Sequence, residues 1–225
     1  MTKTRQQPAA IFFDLDGTLA DTAPDLAGAL NRLRAERNLP PLPLSTLRPF
    51  VSAGARGLLA AGLSLQPTDS DYLAAQTRFL ALYEQHIDDE TQLFEGIAEC
   101  LDHLDNIGLP WGIVTNKALR FARPLIAGLN LTHRAACLIG SDSTPTPKPH
   151  PAPLLLAAKI TQVSALQCLY IGDDGRDIIA AHAANMTAVA AAWGYLGSDK
   201  PVSDWGADII LDSPKDISRM VTPNR

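Results

Sequence analysis

The stretch IFFDLDGTL, residues 11–19, decides the fold of this chain. Its first three residues are apolar and rich in strand formers, which predicts a buried β-strand. Asp14 and Asp16 follow this strand, and Gly17 then permits a sharp turn. Ligands of open α/β sheets bind at the carboxyl ends of the strands. The stretch therefore predicts two acids at a ligand site, although an ordinary Asp-rich turn after a strand has the same composition.

The second half of the chain alternates between strand-like and helix-like patterns. Apolar runs typical of strands occupy residues 110–115, 136–139, 168–171, 186–192 and 207–211. Helical patterns fill the segments between most of these runs. Repeated β-α units of this kind predict an α/β fold with a doubly wound parallel sheet, a Rossmann-like core with helices on both faces.

The segment between the first strand and this alternation has a different character. Leu26, Leu30 and Leu33 recur at helical spacing, and no strand pattern is found from about residue 22 to residue 90. The sequence therefore predicts an inserted all-helical cap. We place the catalytic core at residues 1–20 and 91–225 and the helical cap at residues 21–90.

Composition narrows the classes of function. The 225 residues are 46% hydrophobic and carry a formal net charge of -5, and no dense stripe of Lys and Arg is present. This balance argues against a nucleic-acid partner. The N-terminal residues lack the apolar core of a signal peptide, and no run of about eighteen apolar residues occurs. We expect a cytoplasmic protein without a membrane partner, as a monomer or a homodimer.

Three later segments place polar residues at further strand ends. Thr115 and Asn116 end the second core strand, and Lys148 lies in a proline-rich loop after the third. The sequence GDDGRD, residues 172–177, ends the fourth strand with three carboxylates. Because parallel strands end at the same edge of a sheet, these groups should share one crevice with the first two acids.

The predicted crevice suits phosphoryl transfer. A carboxylate is an accepted nucleophile for phosphorus, and an aspartyl phosphate would result. Crowded acids without nearby His or Cys ligands favour Mg²⁺, a hard cation that prefers oxygen. Lys148 can balance the remaining negative charge as a point charge.

The four motifs, in this order, resemble those of the haloacid dehalogenase-like hydrolases. The resemblance implies that Asp14 is the nucleophile and that Asp16 protonates the leaving group and then activates water. It also implies that Thr115 and Asn116 hold the phosphoryl oxygens, with Lys148 as the balancing cation. The implied ligands of Mg²⁺ are Asp14, the backbone carbonyl of Asp16, and Asp173, with Asp174 or Asp177 in support.

The acid at position 16 favours a phosphatase or a mutase within that family, because family dehalogenases lack it. Segments 52–56, 94–96, 111–117 and 193–195 resemble the N-acetylmuramic acid 6-phosphate phosphatases, which are similar to phosphoglycolate phosphatases. The implied substrate is a small phosphate ester. A sugar-phosphate mutase and a catalytically silent binding protein on the same scaffold remain alternatives.

Both candidate substrates, N-acetylmuramic acid 6-phosphate and 2-phosphoglycolate, carry a carboxylate besides the phosphate. Arg56 is a fixed cation in the predicted cap, at a probable helix start after flexible backbone. Arginine can hold a carboxylate through two parallel hydrogen bonds. We therefore predict that Arg56 binds the substrate carboxylate when the cap closes.

Overall fold

The structure, a computed structural model, describes residues 7–197 and 200–221. The strands in chain order are β1 (Ala10–Phe13), β2 (Ala20–Asp21), β3 (Gln92–Leu93), β4 (Trp111–Val114), β5 (Leu138–Ile139), β6 (Cys168–Gly172), β7 (Thr187–Ala191) and β8 (Ile209–Leu211). The α-helices are α1 (Ala23–Glu36), α2 (Leu44–Leu47), α3 (Gly54–Leu63), α4 (Tyr72–Glu84), α5 (Ile97–Asn106), α6 (Leu119–Gly128), α7 (Ala152–Thr161), α8 (Gly175–Ala183) and α9 (Lys215–Val221).

Six of these strands form one sheet in the order β5-β4-β1-β6-β7-β8. All five neighbouring pairs in it are parallel. β1 therefore lies in the middle of the sheet, with β4 on one side and β6 on the other. Chain order reverses beside β1, and a ligand site in an open parallel sheet is expected at such a point. The predicted doubly wound parallel sheet is confirmed.

The burial of β1 explains why it contains no polar residue. Ile11 and Phe13 pack into a cluster on one face with side chains of α5, α6 and α9, whereas Phe12 packs into a cluster on the other face with α7 and α8. Successive side chains of a strand point to opposite faces, so a strand covered on both sides reads as a continuous apolar run.

Helices α1–α4 form a separate layer around their own hydrophobic cluster. α1 packs against α3 and α4, and the cluster includes Leu30, Leu58 and Phe79. In the chain, this layer is flanked by β2 and β3, which pair antiparallel as a two-stranded ribbon. We call α1–α4 the cap helices. The exact boundaries of a cap at residues 21–90 stay an interpretation.

Some local details differ from the sequence expectation. α8 begins at Gly175, inside the motif of residues 172–177, because Asp174 caps it and Asp177 completes a capping box. The ribbon of β2 and β3 and the terminal helix α9 were not expected. Within the described ranges, no helix is both long and apolar enough to cross a membrane.

Candidate active site

A cavity of about 450 Å³ lies between the carboxyl ends of the central strands and the cap helices. Six of the seven side chains predicted for catalysis, metal binding or substrate binding line it, namely Asp14, Asp16, Thr115, Asn116, Lys148 and Asp173. The exception is Arg56, which is exposed and is not among the lining residues. The structure therefore brings the four motifs to one place.

Asp14 lies directly after β1 and is held by two donors. The Leu15 amide donates to its Oδ1 at 2.8 Å, and the ammonium of Lys148 lies 3.0 Å from the same oxygen. Burial, only partly offset by Lys148, raises the pKa of Asp14 to about 7, and the carboxylates of Asp177 and Asp16 add to the rise. Both donors contact Oδ1, and neither contacts Oδ2.

Three carboxylates meet beside this group. Asp14, Asp173 and Asp177 each offer an oxygen, and these oxygens lie within 4.8 Å of one another. Burial and the charges of its two neighbours raise the pKa of Asp173 well above its usual range. Buried carboxylates that lie close together destabilise the fold unless a cation offsets their negative charge. The donor set fits a hard divalent ion such as Mg²⁺.

Asp174 and Asp177 make different contacts. Asp174 caps α8 and pairs with the Arg176 guanidinium, whose Nε and Nη2 each lie 2.8 Å from a carboxylate oxygen. Asp177 instead joins the acid cluster and lies 2.8 Å from Lys148 Nζ. Its geometry makes Asp177 the better candidate for support of a metal.

Asp173 is fixed by the turn after β1 and by a segment after β7. The Thr18 hydroxyl donates to its Oδ1 at 2.9 Å, and the Tyr195 amide donates to its Oδ2 at 2.8 Å. An added methyl group at Gly17 would overlap the Asp173 carboxylate, and one at Gly194 would overlap its Cβ. Glycine at both positions therefore permits the close approach of three backbone segments.

Lys148 is buried, and three oxygen partners surround its ammonium. Besides Asp14 and Asp177, the Tyr170 hydroxyl lies 2.6 Å from Nζ. Burial lowers the pKa of Lys148, but the two carboxylates outweigh it and the net shift is upward. The lysine therefore stays charged and can balance negative charge beside Asp14.

The Asn116 side chain differs from the expectation. Its Nδ2 donates to the Lys148 carbonyl at 2.9 Å, and its Oδ1 accepts from the Lys148 amide at 3.0 Å. The side chain thus positions the Lys148 backbone rather than reaching toward a phosphoryl group. Its backbone stays a candidate for that contact. Thr115 is buried at the cavity wall, and its hydroxyl accepts from the Lys117 amide at 3.1 Å.

Asp16 lies on the side of the cavity that faces the cap helices. The Thr22 hydroxyl donates to its Oδ1 at 2.6 Å, and Lys117 Nζ lies 2.9 Å from the same oxygen. Lys117 also donates to the hydroxyl of Tyr83, a residue of α4, at 2.9 Å. Asp16 is therefore connected to α4 through Lys117 and to the start of α1 through Thr22.

Sequence reasoning missed several residues that hold the site. Lys117 was included only in a segment that the resemblance singles out, and Tyr83 and Tyr170 were not found. The segment Trp193-Gly194-Tyr195 had been singled out by resemblance without a role. Trp193 Nε1 donates to the Thr18 carbonyl at 3.0 Å, so this segment supports the turn that carries Asp16.

Comparisons with known proteins identify the family of the chain. A profile of the family described as haloacid dehalogenase-like hydrolase matches residues 11–191. A phosphoglycolate phosphatase of Xanthomonas campestris pv. campestris (strain 8004) is 45% identical over 212 residues, which cover 93% of this chain and 95% of that protein. An N-acetylmuramic acid 6-phosphate phosphatase of Pseudomonas putida is 37% identical over 212 residues, with 94% and 95% covered.

A solved structure gives the same result. The crystal structure of a predicted phosphoglycolate phosphatase from Haemophilus somnus 129pt superimposes with a TM-score of 0.85 at 28% identity. The match covers 97% of this chain and 100% of that one. The chain therefore belongs to the haloacid dehalogenase-like hydrolase family, as one of its phosphatases.

Proposed function

We propose that this chain is a Mg²⁺-dependent phosphomonoester hydrolase that carries the phosphoryl group on Asp14 during turnover. The substrate would be a small carboxylated phosphate ester, 2-phosphoglycolate or N-acetylmuramic acid 6-phosphate. One observation carries the proposal. Asp14, Lys148 and the acid cluster lie together at the strand ends. The Asp16 side chain is not part of that cluster and contacts Lys117 on the side of the cap helices.

Asp14 is placed to act as the nucleophile. Its Oδ1 is held by Leu15 and Lys148, so Oδ2 can attack the phosphorus. An oxygen–phosphorus bond to Asp14 forms while the bond from phosphorus to the ester oxygen breaks. Lys148 supports this step because its fixed charge offsets the negative charge around the transferring group.

Asp16 is placed to move the protons. Thr22 and Lys117 both hold its Oδ1, which leaves Oδ2 to give a proton to the departing ester oxygen. A water molecule then attacks the phosphorus, Asp16 takes its proton, and phosphate and free Asp14 are released. Two carboxylates in different surroundings thus take different roles in the same reaction.

The acid cluster would hold the metal. Asp14 and Asp173 are the proposed ligands together with the backbone carbonyl of Asp16, and Asp177 would support them. A bound Mg²⁺ supplies charge neutralisation and orientation for the phosphoryl oxygens. The cavity of about 450 Å³ lies within the usual range for small-molecule sites, about 300–1,000 Å³.

Turnover with matched controls tests the proposal. We expect phosphate release from p-nitrophenyl phosphate with Mg²⁺ and none after removal of metal with EDTA. A panel of 2-phosphoglycolate, N-acetylmuramic acid 6-phosphate and hexose phosphates then ranks substrates by kcat/KM. A phosphorylated isomer without free phosphate would favour a sugar-phosphate mutase. Binding of phosphate esters without any turnover would favour a catalytically silent protein.

A further inference from the structure

Three cationic side chains line the described part of the cavity: Lys117, Lys148 and Arg176. Each of them is paired with an acid: Lys117 with Asp16, Lys148 with Asp14 and Asp177, and Arg176 with Asp174. The three donors of Lys148 are all used, because the Tyr170 hydroxyl takes the third. A substrate carboxylate that enters this cavity therefore meets Lys117 as the buried lysine with a donor left.

The ammonium of Lys117 keeps one donor for a ligand. It carries three N–H donors. One reaches Asp16 Oδ1 and one reaches the Tyr83 hydroxyl, each at 2.9 Å. No third partner for Nζ is found among the described residues. The side chain is only 7% exposed, so a ligand that pairs with it would be shielded from competing water.

Tyr83 fixes where this cation lies. Nζ sits 4.7 Å from the centroid of the tyrosine ring, close enough for a cation–π contact in addition to the hydrogen bond. The lysine is therefore a cation held in a fixed position between the core and α4.

The position of Lys117 also restricts which carboxylate it can reach. Asp16 gives its proton to the ester oxygen, and Lys117 binds the same carboxyl group from another side. The ester oxygen and Nζ are therefore separated by a few ångströms. A carboxylate one carbon away from the ester oxygen, as in 2-phosphoglycolate, falls within that distance. The carboxylate of N-acetylmuramic acid 6-phosphate lies across the sugar ring from the phosphate.

We infer that Lys117 is the specificity-determining residue of this site and pairs with a leaving-group carboxylate carried next to the ester oxygen. This inference rests on the proposed function and replaces Arg56 as the carboxylate-binding residue. Arg56 is exposed on α3 and lies outside the cavity lining, whereas its neighbours Gly54 and Ala55 line it.

Two matched substrate pairs test the inference. 2-Phosphoglycolate and ethyl phosphate differ by a carboxylate beside the ester oxygen. N-acetylmuramic acid 6-phosphate and N-acetylglucosamine 6-phosphate differ by a lactyl ether whose carboxylate lies far from the ester oxygen. The measured quantity is the ratio of kcat/KM within each pair. A ratio cancels the effect that loss of Lys117 has on Asp16, because that effect is common to both members.

Lys117→Met should lower the phosphoglycolate-to-ethyl-phosphate ratio by about ten- to a hundredfold, as expected for loss of a charge-assisted hydrogen bond. The muramic pair should keep its ratio. Lys117→Gln is the second variant, because it removes the charge but keeps a hydrogen-bond donor if the methionine variant folds poorly. Lys159→Met, an exposed lysine of α7, is the matched control and should leave both ratios unchanged.

Three results would overturn the inference. Equal losses on both members of the phosphoglycolate pair would show that Lys117 acts on Asp16 alone. A fall in the muramic ratio would show that the lysine reaches a distant carboxylate. A fall in the phosphoglycolate ratio with Arg56→Met, and none with Lys117→Met, would assign recognition to Arg56. Absence of phosphate release from every substrate by the wild-type protein would instead refute the proposed function itself.

Discussion

Removal of the Tyr195 hydroxyl gives a sharp test of how the turn after β1 is held. The hydroxyl accepts from the Thr22 amide at 2.7 Å and from the Ala23 amide at 2.9 Å, and it donates to Asp21 Oδ1 at 3.0 Å. Through its own amide, Tyr195 also holds Asp173. One residue therefore connects the proposed metal site to the start of the first cap helix.

The free energy of unfolding that is lost in Tyr195→Phe depends on which groups keep another hydrogen-bond partner. The Ala23 amide keeps a second acceptor, Asp21 Oδ1 at 3.3 Å, and Asp21 keeps its bidentate pair with Arg48. The Thr22 amide has no second acceptor among the described residues, and Thr22 is fully buried. A buried donor left without a partner costs about 1–3 kcal/mol, so we expect unfolding to be easier by about 2 kcal/mol.

Urea denaturation followed by circular dichroism measures this change. At a slope of about 2 kcal/mol per molar urea, the midpoint should fall by roughly 1 M. Tyr72→Phe is the control, because its hydroxyl makes only a 3.4 Å contact with Gln76. Its unfolding free energy should stay within about 0.5 kcal/mol of the wild type. An equally small change in Tyr195→Phe would refute the reasoning.

The same variant should also affect catalysis in a selective way. Thr22 holds Asp16, so a looser Thr22 should impair proton donation to the leaving group. An alkyl phosphate, whose leaving group needs that proton, should lose more in kcat/KM than p-nitrophenyl phosphate. Equal losses on both substrates would show that Tyr195 supports only the fold.

Four further predictions concern the metal site. Asp173→Ala should raise the Mg²⁺ requirement steeply or abolish turnover. Ca²⁺ should inhibit the wild-type protein, because its looser coordination misplaces the nucleophile. Titration of activity with each metal checks both predictions. Gly194→Ala should lower kcat by about a hundredfold through displacement of Asp173, and thermal melting should show a folded protein. Metal-free protein should lose stability as pH rises from about 4 through about 7. The pKa of Asp14 is raised from 3.8 to about 7 in the folded protein, so folded Asp14 holds a proton in this range that the unfolded chain releases. Saturating Mg²⁺ should remove that dependence of stability on pH. Unfolding midpoints measured across this pH range check the prediction, and midpoints of the metal-free protein that do not change with pH would contradict it.

The central strands and the acids were predictable because their information is local. An apolar run followed at once by Asp14 fixes both the strand and the position of the acid at its end. The same holds for Asp173, which directly follows β6. Once the strands are parallel, their ends must meet, so a shared crevice follows without knowledge of any side-chain conformation.

The polar network was not predictable because it depends on side-chain direction across long separations. Lys117 and Tyr83 are 34 residues apart, and Thr18 and Asp173 are 155 apart. Nothing in the sequence shows that Asn116 turns toward the Lys148 backbone. The exposure of Arg56 could have been suspected, since Leu58 and Leu59 define the buried side of α3.

The most direct test of the account is the identification of the phosphorylated residue. In Asp16→Asn the nucleophile is intact but the second step lacks its base, so p-nitrophenyl phosphate, which needs little help from an acid, should leave phosphoryl enzyme behind. Acid quenching followed by peptide mass spectrometry should find the phosphoryl group on Asp14, and Asp14→Asn should show none and no turnover. A phosphoryl group on another residue, or wild-type-like turnover by Asp14→Asn, would contradict the account.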